Sequence, residues 1–495
     1  ETCQLCTNHC RLRIAEVQGQ SVAYGFLCGR DYDVKRFISS NASGFDMIRE
    51  YHKAFKDQKQ VSTNLGSPTV GIPAALHLLE ELPLWKCFFS ELGISATTSE
   101  QYGHGLEAGK EVTGAEFCAP VTALHGHARY LAESCDAVFL PVYLDAPSKE
   151  RQKGRLRYYC YYTQFAPSVI SLLKEHDLDR KCLLPLVDHG ALEGAHPASV
   201  RRARSRTKRE LLQALETLEG VTVSYSQVSR AYDRAITFYG AGRNKLQRVY
   251  RDVHRRNGDI EVVLAGRPYQ VLSPEMNKGI PDIFASLGIK TFYQDMLPPL
   301  AEIESVIRDS EQGPVADEKL ERFRKVVREV QPLLDAVHWQ FAARVLETAA
   351  YCATTEGLYP VLITAFKCSP DSFVIEYFKR LLDAHQKPYL ILQIDEHGSS
   401  VGYETRIEAG IHSFRNHAAR RREDKETTSG ANPVTRSKFD HRLNGKTLLF
   451  PNWDRLTIPL VVANLRRAGV DARVLEEDEL SIQAGTRLNS GQCLP

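Results

Sequence analysis

The chain has 495 residues, of which 43% are hydrophobic and 25% charged, with a formal net charge of +2. That balance fits a soluble globular protein of several domains and gives no reason to expect a nucleic-acid partner. No apolar run reaches the roughly 18 residues of a membrane span, no stretch reads as a signal peptide, and twelve cysteines are too sparse for a disulfide scaffold.

In chain order, the first feature is a ligand set, Cys3-x2-Cys6-x3-Cys10, completed by Cys28-Gly29 after a short strand-like excursion. Four thiolates so spaced can wrap one tetrahedral zinc or one cubic iron–sulfur cluster. Zinc sites usually come as two separated CxxC pairs or as a cysteine pair with a histidine pair, so the asymmetric three-plus-one spacing leans to [4Fe–4S]. Residues 1–60 are expected to form this small metal module, in a reducing, cytoplasmic compartment. Because four ligands saturate a cluster, the module reads as a relay or a structural staple.

From Val70 onward, short apolar strands alternate with helical stretches, the pattern of parallel α/β layers. Strands are expected at Thr69–Ile72, Ala137–Val142, Cys182–Val187, Ile260–Ala265, Val361–Phe366 and Tyr389–Ile394. Long helical stretches are expected near 206–256 and 317–351. The segment divides into a first α/β domain at 61–257 and a second at 258–420. The basic stretch Arg201–Arg209 reads as the solvated start of a helix. Residues 421–446, rich in Arg, Thr, Ser, Gly and Asn-Pro, read as a linker. Residues 447–495 begin a repeat of the segment that starts at Val70. Both copies read strand–helix–strand–helix and end in a glycine-led turn to Cys-x-Pro, at Cys118 in the first and Cys493 in the second. The second copy stops where the first continues, which with the start at Glu1 gives the expectation of a piece of a longer polypeptide.

Three further cysteines stand out. Cys118 follows a glycine turn and precedes Pro120, at an expected strand-to-helix junction, and its helix carries His125-Gly126-His127. Cys160 lies in the aromatic nest Tyr158-Tyr159-Cys160-Tyr161-Tyr162. Cys368 ends a strand and starts a helix through Ser369-Pro370-Asp371. Helix N-termini favour thiolates and anionic groups, and the carboxyl ends of strands in open α/β sheets are where functional crevices form. Cys87, Cys135, Cys182 and Cys352 read as small buried hydrophobes.

These motifs resemble the large fused acyl-CoA dehydratase activase family. The resemblance rests on Cys-x2-Cys-x3-Cys with a later Cys-Gly, on Cys118-Ala-Pro-Val-Thr-Ala-Leu-His-Gly-His, on Asp-Ala-Val-Phe-Leu-Pro, on Cys368-Ser-Pro-Asp and on Leu392-Gln-Ile-Asp395-Glu396-His. The family is similar to 2-hydroxyacyl-CoA dehydratases and double-cubane cluster proteins. The resemblance implies Rossmann/flavodoxin-like parallel α/β domains and a second [4Fe–4S] or related cluster on Cys118, Cys160 and Cys368, with one iron left open. It further implies an ATP-hydrolysing, actin-like activator and a low-potential donor such as ferredoxin or flavodoxin, and it allows a homodimer. This chain departs from the family at Cys160-Tyr161, where Cys-Pro is usual, and at Lys367-Cys368-Ser369, where glycines flank the cysteine. No phosphate loop is present in the sequence, so the ATPase is expected on another subunit or a missing part of the same polypeptide. His125, His127 and Glu396 are the candidates for proton delivery, and Tyr159 and Tyr161 for lining the pocket. The function expected is that of an iron–sulfur redox protein that takes electrons from the activator and reduces a small substrate. A dehydratase-type lyase and a zinc-stapled, non-enzymatic scaffold are the alternatives.

Overall fold

The computed structural model describes residues 13–17, 20–24, 41–56, 68–145, 157–174, 177–188, 197–254, 260–310, 313–394, 400–427, 446–452, 454, 456–475 and 478. The chain divides into two compact units, Glu1–Arg421 and Arg422–Pro495. No helix among the described residues is long and apolar enough to cross a membrane.

The first two strands, β1 (Arg13–Val17) and β2 (Gln20–Tyr24), form an antiparallel hairpin with Arg13 opposite Tyr24. In the sequence it fills the interval between Cys10 and Cys28. Those cysteines, with Cys3 and Cys6, lie outside the described residues.

The sheet that follows is parallel. It contains β3 (Thr69–Ile72), β4 (Ser95–Thr98) and β5 (Ala137–Phe139), while β6 (Val142–Asp145) continues the line of β5. Next come β7 (Cys182–Leu183) and its continuation β8 (Leu186–Asp188). The four strands lie in the order β4-β3-β5-β7, and β6 pairs with β8. The expected strands Ala137–Val142 and Cys182–Val187 are thus each broken in two, at Pro141 and Pro185. Proline has no N–H for the ladder. Bonds from Leu140 N to Leu183 O and from Val142 N to Pro185 O, both 2.9 Å, carry the pairing across the breaks.

A second parallel sheet contains β9 (Glu261–Gly266), β10 (Thr291–Tyr293), β11 (Leu358–Ala365) and β12 (Leu390–Ile394), in the order β10-β9-β11-β12. Every residue of β9 is buried, and so is all of β11 except its last residue. Near-continuous apolar strands of this kind are what a sheet covered on both faces requires. Both sheets therefore have the 2-1-3-4 order of a doubly wound fold, whose crevice opens at the carboxyl ends of the two central strands.

The helical expectations need correction. The stretch 206–256 is two helices, Pro197–Glu216 and Tyr225–His254, separated at Gly220, whose φ of 79° is a left-handed conformation that no helix interior tolerates. The stretch 317–351 is Pro314–Ala336 and Gln340–Thr354, parted by an extended Val337. The expected linker is in part helical, because Ser400–Thr427 runs through Arg420-Arg421-Arg422. The second unit holds β13 (Leu448–Pro451), a helix Thr457–Arg467 and β14 (Ala472–Leu475), parallel to β13. The first copy of the repeat has the same strand–helix–strand plan, with helix Leu78–Glu91 between β3 and β4.

The core around the first sheet is aromatic. Trp85 is fully buried, its ring centroid 4.8 Å from that of Phe139, and its Nε1–H donates to Tyr143 Oη at 3.0 Å and Glu81 Oε2 at 3.1 Å. Trp85→Ala should therefore lower stability by about 3–5 kcal/mol, combining cavity formation with stranded polar partners. A shift of the urea midpoint at unchanged slope would register it, and a shift smaller than about 1 kcal/mol would show that this core is not tightly packed.

Candidate functional site

Three turns build the site, and a cysteine stands at the head of each. Cys118 precedes helix Ala119–Ser134, Cys160 precedes Tyr161–Ile170, and Cys368 precedes Ser369–Ala384. All three occupy the N-cap position with extended backbone, and none of their side chains caps its helix. An N-cap residue leaves the first helical N–H groups free, and the helix dipole adds roughly half a positive charge there. Cys118 is preceded by helix Gly105–Val112 and not, as expected, by a strand. Cys160, which the sequence set only in an aromatic nest, is an N-cap residue like the other two. A parallel bridge between Tyr158 and Trp339 fixes its turn, with Tyr158 N to His338 O at 2.8 Å and Gln340 N to Tyr158 O at 3.0 Å.

The three cysteines line one cavity of about 350 Å³, together with Arg267, Tyr269, Gln270, Lys367 and Trp339. It opens where the doubly wound plan predicts, beyond the ends of β3, β9 and β11. Among the described residues no carboxylate lines it. Leu76, just after β3, is also part of the wall and is held at φ 51°, a left-handed strain unusual for leucine. Burial pushes the Cys368 thiol up to about 12 and raises that of Cys118 as well. Unliganded, these are thiols at neutral pH, and only a bound cation would draw the thiolates out.

Behind the cysteines lies a buried ion pair. Strand β9 ends at Gly266, where φ is 147° and a Cβ would stand 2.4 Å from Ile363 O, so glycine alone fits. The next residue, Arg267, is only 2% exposed. Its Nη2 donates to Asp371 Oδ1 at 2.9 Å, while Asp371 Oδ2 accepts from Thr364 Oγ1 at 2.8 Å. Its Nη1 faces Tyr269 Oη at 3.4 Å, and among the described residues its Nε has no acceptor. Burial works against the charge, but Asp371, then Tyr269 and the sulfurs of Cys368 and Cys160, hold its pKa well above the usual guanidinium value. Asp371 lies in the first turn after Cys368, so this pair locks the exit of β9 to the Cys368 turn. Gln270, with its amide turned to satisfy both atoms, donates to Ile363 O at 3.2 Å and accepts from Ala365 N at 3.0 Å, pinning the end of β11.

The two histidines do not line the cavity. His125 is 1% exposed, its Nδ1–H donates to Val121 O at 2.8 Å, and its ring stacks on Phe117. Burial lowers its pKa despite that bond, which keeps it neutral. His127 is held between Ser99 Oγ at 2.8 Å and Glu275 Oε2 at 3.2 Å. Gly126 between them is a crossing point, since a Cβ there would lie 2.0 Å from Gly105 O. The His-Gly-His motif thus marks where helix Gly105–Val112 crosses Ala119–Ser134. Tyr161 lines the cavity, whereas Tyr159 packs into the core against Phe341 at 5.3 Å. Glu396 lies outside the described residues. Sequence reasoning missed Arg267, Tyr269 and Gln270. The available signal was Gly266-Arg267-Pro268-Tyr269 directly after a fully apolar strand.

Three sulfurs share the wall of one cavity, and thiolates are the ligands that iron–sulfur clusters take. Among the described residues no three His, Cys, Asp or Glu side chains are placed to hold a metal ion. Compared with known proteins, residues 69–297 match a family model described as CoA enzyme activase uncharacterised domain (DUF2229). The match includes Cys118, Cys160 and Arg267 and ends before Cys368. No curated protein matches the chain. Over residues 69–297, then, the chain is similar to a domain of the CoA enzyme activases.

Proposed function

We propose that the cavity bounded by Cys118, Cys160 and Cys368 holds an iron–sulfur cluster with one metal position left free by the protein. On this reading the chain accepts low-potential electrons and delivers them to a small substrate in the cavity. The observation that carries the reading is the convergence of three cysteines, distant in sequence, each at the head of a helix, on one cavity that no carboxylate lines among the described residues. When bound, such a cluster supplies a one-electron reductant and an open Lewis-acid site.

The surrounding side chains have complementary tasks. Burial raises the pKa of the Cys118 and Cys368 thiols, and the Arg267 guanidinium offsets part of that rise, easing the loss of their protons to a bound cluster. The Tyr269 phenol, buried and kept protonated by that burial, faces Arg267 Nη1 through its oxygen and has its own proton to offer an occupant. Tyr161 and Tyr162 line the cavity yet are 70% and 51% exposed, and Phe366 and Phe373, on either side of Cys368, are 68% and 66% exposed. Exposed aromatics at a cavity mouth are the composition of a docking surface. They support entry of electrons from a partner, for which an ATP-hydrolysing activator, on another subunit or another part of the polypeptide, is the proposed source. Ferredoxin or flavodoxin would reduce that activator. The Cys3, Cys6, Cys10 and Cys28 set is proposed to hold a second, fully ligated [4Fe–4S] cluster.

Metal analysis of anaerobically purified full-length chain tests the reading. Brown protein containing iron and acid-labile sulfide is the expected result. Colourless protein containing zinc and no iron would overturn it in favour of the stapled scaffold.

A further inference from the structure

We propose that Arg267 sets the charge of the three-cysteine cavity and thereby the reduction potential of the group seated there, with Asp371 as its counterweight. The inference rests on the reading above that this group is a redox cluster. Two cations, Arg267 and Lys367, line the cavity, and among the described residues no anion does. Lys367 is 46% exposed and pairs at 3.3 Å with Glu116, itself 91% exposed, so solvent and salt screen it. Arg267 is different: its side chain and that of Asp371 are 2% and 3% exposed, and a field between buried charges is screened far less.

The pair is also oriented. Arg267 forms part of the cavity wall, whereas Asp371 does not, its two oxygens being taken up by Arg267 Nη2 and Thr364 Oγ1. The cavity therefore meets the positive end of a buried dipole. A guanidinium has five N–H donors; here one meets a carboxylate, one faces a phenol at 3.4 Å, and among the described residues Nε–H has no acceptor. Buried donors in native proteins are rarely left in this state, so Arg267 has capacity to donate to an occupant or a water beside it. The heads of three helices, of 16, 10 and 16 residues, act in the same sense.

One-electron reduction adds one negative charge to the occupant and breaks no bond, the electron coming from dithionite in a titration. A fixed positive charge beside the cavity stabilises the reduced state and raises the potential. The two partners should therefore act in opposite directions. Arg267→Gln removes the cation and should make the potential more negative by at least about 59 mV, a tenfold change in the reduced-to-oxidised ratio of a one-electron couple. Asp371→Asn keeps the shape, leaves the guanidinium uncompensated, and should move the potential the other way.

EPR-monitored redox titration of the cluster-loaded full chain tests this, with iron counted on the same samples and Cys118→Ala identifying the signal that belongs to the cavity. Opposite shifts in Arg267→Gln and Asp371→Asn support the inference, since mere disturbance of packing has no reason to reverse sign between partners. If Arg267→Gln does not fold, Arg267→Lys, which keeps the charge, should stay near the wild-type potential while Asp371→Asn still rises. Shifts of the same sign, or an unmoved potential in Asp371→Asn with iron retained, would overturn the inference and leave the cluster reading intact. If Cys118→Ala removes neither iron nor signal, the cluster reading fails, and this inference with it.

Discussion

Arg344→Ala is expected to cost the first compact unit about 3–5 kcal/mol, the penalty for stranding buried charge partners. Arg344 lies on the helix Gln340–Thr354, and its Nη1 donates to Glu80 Oε1 at 2.9 Å and to Asp295 Oδ2 at 3.0 Å. Glu80 belongs to the helix between β3 and β4, and Asp295 follows β10, so one guanidinium ties elements of the two sheets together. Its side chain is 11% exposed and those of its partners 6% and 8%. The same cluster gives a pH dependence. Burial, opposed by Arg344 and reinforced by Asp295, pushes the Glu80 carboxyl from 4.5 up to about 7. The folded state therefore binds a proton more tightly than the unfolded chain. The contribution is fully present below about pH 4.5 and is lost as pH rises through about 7. Asp295 behaves in the opposite sense: burial raises its pKa, but Arg344 and Arg243 hold it below the usual aspartate value. Its contribution is already complete above that value, whereas His125, whose pKa burial lowers, changes stability in the opposite sense to Glu80 across the interval from about 4.5 to 7. Urea midpoints should therefore fall with pH across that interval more steeply in the wild type than in Glu80→Gln. An equal slope in the two would remove Glu80 from the explanation.

The second large effect concerns the cysteines. Cys118→Ala or Cys368→Ala should abolish metal binding in the cavity while leaving the apo fold within about 1 kcal/mol of wild type. The reason lies in the cost of the thiols themselves. Burial raises their pKa, so in the empty site each behaves as a small hydrophobe that alanine replaces with little loss. On the proposed reading a bound cluster, by contrast, would lose one of its three protein ligands. Thermal unfolding of the apo chain, read beside metal content, separates the two effects. A variant that loses metal because it no longer folds would show a collapsed transition, and that outcome would assign these cysteines to packing.

Much of the architecture was legible in the sequence. The strands Thr69–Ile72 and Leu390–Ile394 announced themselves by apolar, β-branched runs, and the parallel α/β alternation followed from their spacing. Ser95–Thr98 was legible only as the second strand of the repeat, and Thr291–Tyr293 was not, because it is a three-residue edge strand with too few residues to establish a pattern. Cys118 and Cys368 stood out because each precedes a proline in the first turn of a helix, whereas Cys160 joined them only through the family resemblance. Arg267 was not, since an arginine after a strand ordinarily reads as a solvated loop residue. Only tertiary structure shows that Asp371, 104 residues later, meets it in the interior. The histidines were legible as a motif and misleading as chemistry. Gly126 is where two helices touch, and His127 bridges that crossing to Glu275.

The most direct measurement is an EPR spectrum of the reduced full chain beside three single variants, Cys118→Ala, Cys160→Ala and Cys368→Ala. If one cluster is shared by all three cysteines, the same signal and the same increment of iron and sulfide vanish from each variant, while any other signal persists. Loss of different signals in different variants, or retention of every signal in any one of them, would contradict a common site.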